Sequence, residues 1–127
     1  MASNTRDKKE LHRSRDEKRP HASIRHVRVS SSKAKLIVDL IRGKGVDEAL
    51  AILRLTPHAA SPVLLKLVQS AAANAVNNLD MDRDTLYVAE IYANPGPTLK
   101  RFMPKARGSA TSILRRTSHF GVVLDKR

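Results

Sequence analysis

Residues 86–124 read LYVAEIYANPGPTLKRFMPKARGSATSILRRTSHFGVVL. The two ends of this stretch are β-prone. Leu86 to Ala93 contains Tyr87, Val88, Ile91 and Tyr92, and in Thr117 to Leu124 the residues Phe120, Val122 and Leu124 alternate with His119, Gly121 and Val123. From Ile91 to Leu124 there is no Asp or Glu, while Lys100, Arg101, Lys105, Arg107, Arg115 and Arg116 all fall inside. Pro95, Pro97, Pro104, Gly96, Gly108 and Gly121 punctuate it, and its middle holds too few apolar residues to bury a core. If the two ends pair antiparallel, the middle becomes the arms of one long hairpin, spanning residues 85–124. Arms of that length reach about 50–60 Å at about 3.3 Å per residue, beyond the diameter of a small domain, so the hairpin must project. Without a partner, an isolated two-stranded ribbon of like charges is marginal at best. It needs a polyanion against it, and nucleic acid is the natural one.

The rest of the chain supplies a body for this ribbon. Residues 21–29 predict a short edge strand through Ala22, Ser23, Ile24, Arg25, His26, Val27 and Arg28. Ser30 is placed to cap a helix over 31–42, with Ala34, Ile37, Val38 and Ile41 on one face flanked by Leu36 and Leu40; Gly43 ends it. Asp47 is placed to cap a second helix over 48–55 that buries Ala49, Leu50, Ile52 and Leu53 and stops at Thr56-Pro57. A third helix is predicted over 59–78, with Pro62 in its first turn. Its buried stripe is Leu64, Leu67, Val68, Ala71, Ala72, Ala75 and Leu79, and Asn77-Asn78 closes it. Residues 1–20, polar and mixed in charge, read as a flexible tail, and residues 21–127 as one domain that includes the hairpin.

Composition agrees with a nucleic-acid partner. The chain has 127 residues, a formal net charge of +12 and only 3% aromatic residues. So few aromatics argue against base stacking on a sheet and for contact with phosphates and RNA shape. A second acid-free run, Lys18 to Val38, carries Arg25, Arg28, Lys33 and Lys35. Two such runs in one small domain read as a footprint. The absence of cysteine removes disulfide and thiolate chemistry, and no apolar run approaches the roughly 18–20 residues that cross a bilayer.

Sites of other classes do not assemble. Asp80, Asp82 and Asp84 have the opening spacing of a calcium loop, but Thr85 and Ile91 stand where glycine and glutamate are required. The histidines at 12, 21, 26, 58 and 119 show no metal spacing, and no nucleophile has an identifiable base. We therefore expect no enzyme, metal or cofactor. The competing binding class is a DNA reader using helices 31–42 and 48–55 as a helix-turn-helix. Against it, the second helix is short and apolar, and Asp47 and Glu48 at its start would repel phosphates.

Three motifs occur in order: SKAKLIVDLIRGK at 32–44, SAAANA at 70–75, and GPTLKRFMPKARG at 96–108, followed by RRTSH at 115–119. Together they resemble the family of ribosomal protein twenty-two of the large subunit, in its bacterial or organellar form, over about 22–127. The resemblance implies an α+β fold: three helices packed on a small three-stranded antiparallel sheet, with a long projecting β-hairpin. It implies a structural, non-enzymatic protein of the large ribosomal subunit, in a cytoplasmic or organellar ribosome. Such a protein binds large-subunit ribosomal RNA, touches neighbouring ribosomal proteins and supports subunit assembly. Its hairpin tip lines the nascent-peptide exit tunnel and makes transient contact with the nascent peptide. Carried over residue by residue, Lys100, Arg101, Lys105 and Arg107 match the hairpin's RNA-binding cations. Arg115, Arg116 and His119 match the returning arm, and Lys33, Lys35, Arg42 and Lys44 the basic side of the first helix. Pro104, Ala106 and Gly108 match the slim tip. Ser109 departs from the pattern, since the family often has arginine there.

Overall fold

The computed structural model describes Lys8 and residues 19–127; of the expected tail, only Lys8, Arg19 and Pro20 lie among them. The chain runs through strand β1 (His21–Val27) and helices α1 (Ser31–Ile41), α2 (Val46–Leu55) and α3 (Ser61–Leu79). Strands β2 (Leu86–Pro95), β3 (Leu99–Pro104), β4 (Ala110–Arg115) and β5 (Ser118–Lys126) follow. β5 is central in a three-stranded sheet of order β1-β5-β2, with both pairings antiparallel. β3 and β4 form a separate two-stranded sheet. The expected α+β architecture is therefore present.

One face of the sheet is apolar because the strands alternate. Leu86, Val88, Ile91, Phe120, Val122 and Leu124 are buried beneath the helices. α1 presents Ala34, Ile37, Val38 and Ile41, and α3 presents Leu64, Leu67, Val68, Ala71, Ala72 and Ala75. The alanines keep α3 slim where it packs over β1 and β5. α2 adds Val46, Ala49, Leu50 and Leu53.

Several local expectations are corrected. α2 begins at Val46 with Gly45 as N-cap, so Asp47 sits in the first turn, where it pairs with Arg83 at 2.8 Å instead of capping. Ser30 occupies the N-cap position of α1 without a side-chain capping bond. α3 begins at Ser61 and closes on Asp80, held at φ 50, with the Asp80 and Met81 amides donating to Ala75 O; Asn77 and Asn78 lie within its last turn. At the boundary between the expected tail and the domain, Pro20 O accepts the Leu124 N–H at 2.9 Å and Arg19 pairs with Glu90 at 2.9 Å; the rest of the expected tail, Lys8 apart, lies outside the described residues.

Both outer edges of the sheet are blunted. The turn after α1 lies along β2: the Gly43 N–H donates to Val88 O and the Val88 N–H to Lys44 O, each at 2.9 Å. Gly43 adopts φ 77, which lets the helix end turn into that edge. On the other side β1 carries a bulge between Ile24 and Val27, with His26 at φ 57.

On the open face of the sheet, Tyr92 pairs with Gly121, and a Cβ on Gly121 would stand 2.2 Å from the tyrosine Cζ. The ring lies across the glycine and stiffens the sheet at the base of the hairpin. Gly121→Ala is expected to cost about 1–3 kcal/mol, as overpacking does. Urea denaturation will check this, and the same change in a Tyr92→Ala background should cost well under half as much.

Candidate nucleic-acid interface

The hairpin forms in two sections. β2 and β5 pair through Pro95 and Ser118, and the ribbon resumes at Leu99 and Arg115. The expected arms of about 50–60 Å are thus shared with the body, because the first ten residues of the outgoing arm are the body strand β2. The freestanding part, residues 96–105, reaches about 33 Å at about 3.3 Å per residue.

In the ribbon, directly opposed residues share a face. Leu99 opposes Arg115, Arg101 opposes Ile113, and Met103 opposes Thr111; the other face carries Lys100 with Leu114, Phe102 with Ser112, and Pro104 with Ala110. Both faces mix cations with apolar side chains, and β3 is exposed along its whole length. Phe102 is 74% exposed. A ribbon with large apolar groups exposed on both sides and no acid is built to be enclosed by a partner.

At the tip, Ser109 closes the loop. The Lys105 N–H donates to Ser109 O at 2.7 Å, and the Ser109 hydroxyl donates to Ala106 O at 2.9 Å. Arg107 and Gly108 take φ 60 and φ 69 in succession, which makes the reversal tight. Gly108 suits that conformation, whereas Arg107 holds it at a cost of about 1 kcal/mol. Ser109 thus supplies the hydroxyl that closes its own loop.

The root is fastened by Gly96, Thr117 and Ser118, which lie inside the quoted motifs but to which the sequence assigns no role. The Gly96 N–H donates to Thr117 O at 2.8 Å, and the Thr117 hydroxyl donates to Pro97 O at 2.6 Å. Ser118, fully buried, donates its hydroxyl to Val29 O. Gly96 is required by space: a Cβ there would stand 2.6 Å from Thr117 Oγ1 and 3.0 Å from the His119 ring. Adjacent hydroxyls at a strand start were the available signal, and their targets are remote in sequence.

The expected RNA-binding set divides into three groups. Arg25, Arg28, Lys33, Lys35, Lys100, Arg101, Lys105, Arg107, Arg115 and Arg116 are exposed and form no ion pair among the described residues. Arg42 pairs with Asp39 at 2.7 Å and donates to Ile91 O at 3.0 Å, and Lys44 pairs with Glu48 at 2.6 Å. Arg42 thereby ties the end of α1 to β2, and Lys44 pairs locally with the first turn of α2. His119 Nδ1 accepts the His26 N–H at 3.0 Å, and the two rings meet edge to face at 4.8 Å. It thereby satisfies the amide that the bulge turns out of the β1 ladder. The helix pair does not present a reading face: α2 spends its apolar side on the core, and Asp47 and Glu48 are engaged by Arg83 and Lys44. Among the described residues, no group of His, Asp and Glu is placed to hold a metal, and no helix is long and apolar enough to cross a membrane.

Residues 22–125 match the family Ribosomal protein L22p/L17e. The chain is 54% identical to large ribosomal subunit protein uL22 of Acetivibrio thermocellus over 96% of either chain. It is 57% identical to the uL22 protein of Clostridioides difficile, covering 84% of this chain and 96% of that one. With the uL22 protein of Pediococcus pentosaceus it shares 53% identity over 84% and 90% of the two chains. On the strength of this match, the chain belongs to the Ribosomal protein L22p/L17e family.

Proposed function

We propose that this chain is a structural constituent of the large ribosomal subunit whose hairpin is packed between segments of large-subunit ribosomal RNA. The observation that carries the reading is the freestanding ribbon, exposed on both faces and acid-free, whose cations form no ion pair among the described residues. Its relatives are named as large-subunit proteins. Lys100, Arg101, Lys105 and Arg107 screen phosphates that otherwise repel each other where RNA strands converge. The apolar side chains between them fill the space that RNA sugars and bases leave. In this reading the body rests on the subunit surface against neighbouring ribosomal proteins, and the narrow tip at Pro104, Ala106, Gly108 and Ser109 lines the nascent-peptide tunnel. The protein acts in the ribosome, in the cytoplasm, and supports assembly by joining RNA segments early.

A Lys100→Ala/Arg101→Ala variant tests this. RNA affinity is expected to fall at least about a hundredfold, two charge-assisted contacts at about 1.5–3 kcal/mol each, and the salt dependence to flatten by about two units, one for each phosphate that is no longer neutralised. Large-subunit assembly should slow while the body unfolds at the wild-type denaturant midpoint. Unchanged affinity together with normal assembly sinks the reading. Density for the intact particle decides the placement of the tip: residues 104–109 away from the tunnel wall would refute that part alone.

A further inference from the structure

We propose that the notch between the start of α1 and the root of the hairpin is a phosphate-binding site, in which one RNA backbone bridges body and ribbon and sets the angle between them. The proposal deepens the RNA-binding reading and rests on it. Arg28, Ser30 and Lys33 form one wall; Leu114, Arg115 and Arg116 form the other, around a hollow of about 520 Å³. The two walls come from different acid-free runs, Lys18 to Val38 and Ile91 to Leu124, which lie far apart in sequence and meet here in space. None of the four cations has an ion pair among the described residues. The notch therefore concentrates positive charge that the protein does not answer, in a concave shape that focuses the field on a bound anion.

The position of the notch gives it a mechanical consequence. One wall is fixed to the body, where Ala34 and Ile37 of α1 are buried. The other wall is Leu114 and Arg115 at the end of the ribbon with Arg116 beside them in its joint to the body, which runs through residues 96–98 and 116–117. The fastening at that joint is the Gly96 and Thr117 bonds described above. Unliganded, the two walls repel and press the ribbon away from α1; a phosphate between them reverses the sign of that force. Guanidinium groups on both sides can each hold phosphate oxygens in bidentate fashion, which fixes orientation as well as distance. A single phosphodiester segment would then order the hairpin relative to the body as the RNA folds around it.

The test uses the full chain with spin labels on Ser112 in the ribbon and Asn77 in the body, and a twelve-nucleotide oligouridylate as probe. Pulsed dipolar spectroscopy should show the interlabel distance distribution narrowing when the oligonucleotide is added. Arg28→Ala/Lys33→Ala and Arg115→Ala/Arg116→Ala should each abolish the narrowing and flatten the salt dependence of binding by about 1.4 units, at about 0.7 for each single-strand phosphate. The combined four-site variant should show no larger effect on the distribution than either pair. Narrowing that survives in the Arg28→Ala/Lys33→Ala variant, or a distribution already narrow in free protein, overturns the proposal. Narrowing by polyglutamate but not by oligouridylate overturns it in favour of an acidic protein partner. If the wild-type chain fails to bind oligouridylate and folded ribosomal RNA alike, the RNA-binding reading itself falls; if it binds both and the notch variants behave as wild type, only the bridge falls.

Discussion

Replacing Phe120 with alanine is expected to lower the stability of the free protein by about 4 kcal/mol, the usual range for a buried phenylalanine being about 3–5. Phe120 is 1% exposed and heads the fully buried side chains by volume. It stands on the central strand, opposite Ile24 of β1 and Ala93 of β2. Truncation opens a cavity beneath all three strands at once, where the surrounding backbone is held by ladders on both sides and cannot collapse inward. A domain of this size has about 5–15 kcal/mol in total, and its charge of +12 subtracts from that through self-repulsion. The variant should therefore be largely unfolded near body temperature in low salt. It should regain structure when ribosomal RNA is added, since a ligand that binds only the folded state shifts the equilibrium by mass action. Circular dichroism through a urea titration reads the first effect, and the same titration with RNA reads the second. A loss below about 1.5 kcal/mol contradicts the placement of Phe120 at the centre of the core.

Legibility in the sequence follows the range of the interaction. The hairpin arms are visible because absent acids and β-prone ends are local facts, and the helices because their stripes repeat within one turn or two. Charge and family resemblance assign Arg42 and Lys44 to RNA, yet their partners Asp39 and Glu48 stand three and four residues away, at helical contact spacing. Those pairings are available from the sequence. The role of His119 is not: its Nδ1 accepts an amide 93 residues distant, exposed by a bulge that only strand pairing creates. The same holds for Ser118, whose acceptor is the carbonyl of Val29. The break in the ribbon at 96–98 has a local sign in Gly96-Pro97, but the need for glycine there comes from the space taken by Thr117 and His119 across the strand. Side chains whose partners lie on another element stay unreadable, and these are the ones that fasten the hairpin to the body.

Reversing the charge at Lys100, Arg101, Lys105 and Arg107 to glutamate should lower affinity for large-subunit ribosomal RNA by at least about a thousandfold and exclude the protein from assembled subunits. Charge-assisted hydrogen bonds contribute about 1.5–3 kcal/mol each, so losing even half of four such bonds removes about 3–6 kcal/mol before repulsion is added. Repulsion is the larger part: each new carboxylate would face phosphates in an environment that excludes water and screens poorly. The body should not register the change, because all four side chains are exposed and the core residues lie elsewhere. The denaturant midpoint of the free variant should match wild type, which separates loss of binding from loss of fold. The matched glutamine variant isolates the two contributions, since it removes the cations without adding repulsion, and should fall between wild type and the glutamate form. Sedimentation of tagged protein from cells checks the outcome directly. A glutamate variant found in large subunits at wild-type stoichiometry would mean that shape and apolar packing alone seat the ribbon, and that the absence of acid from Ile91 to Leu124 has another cause.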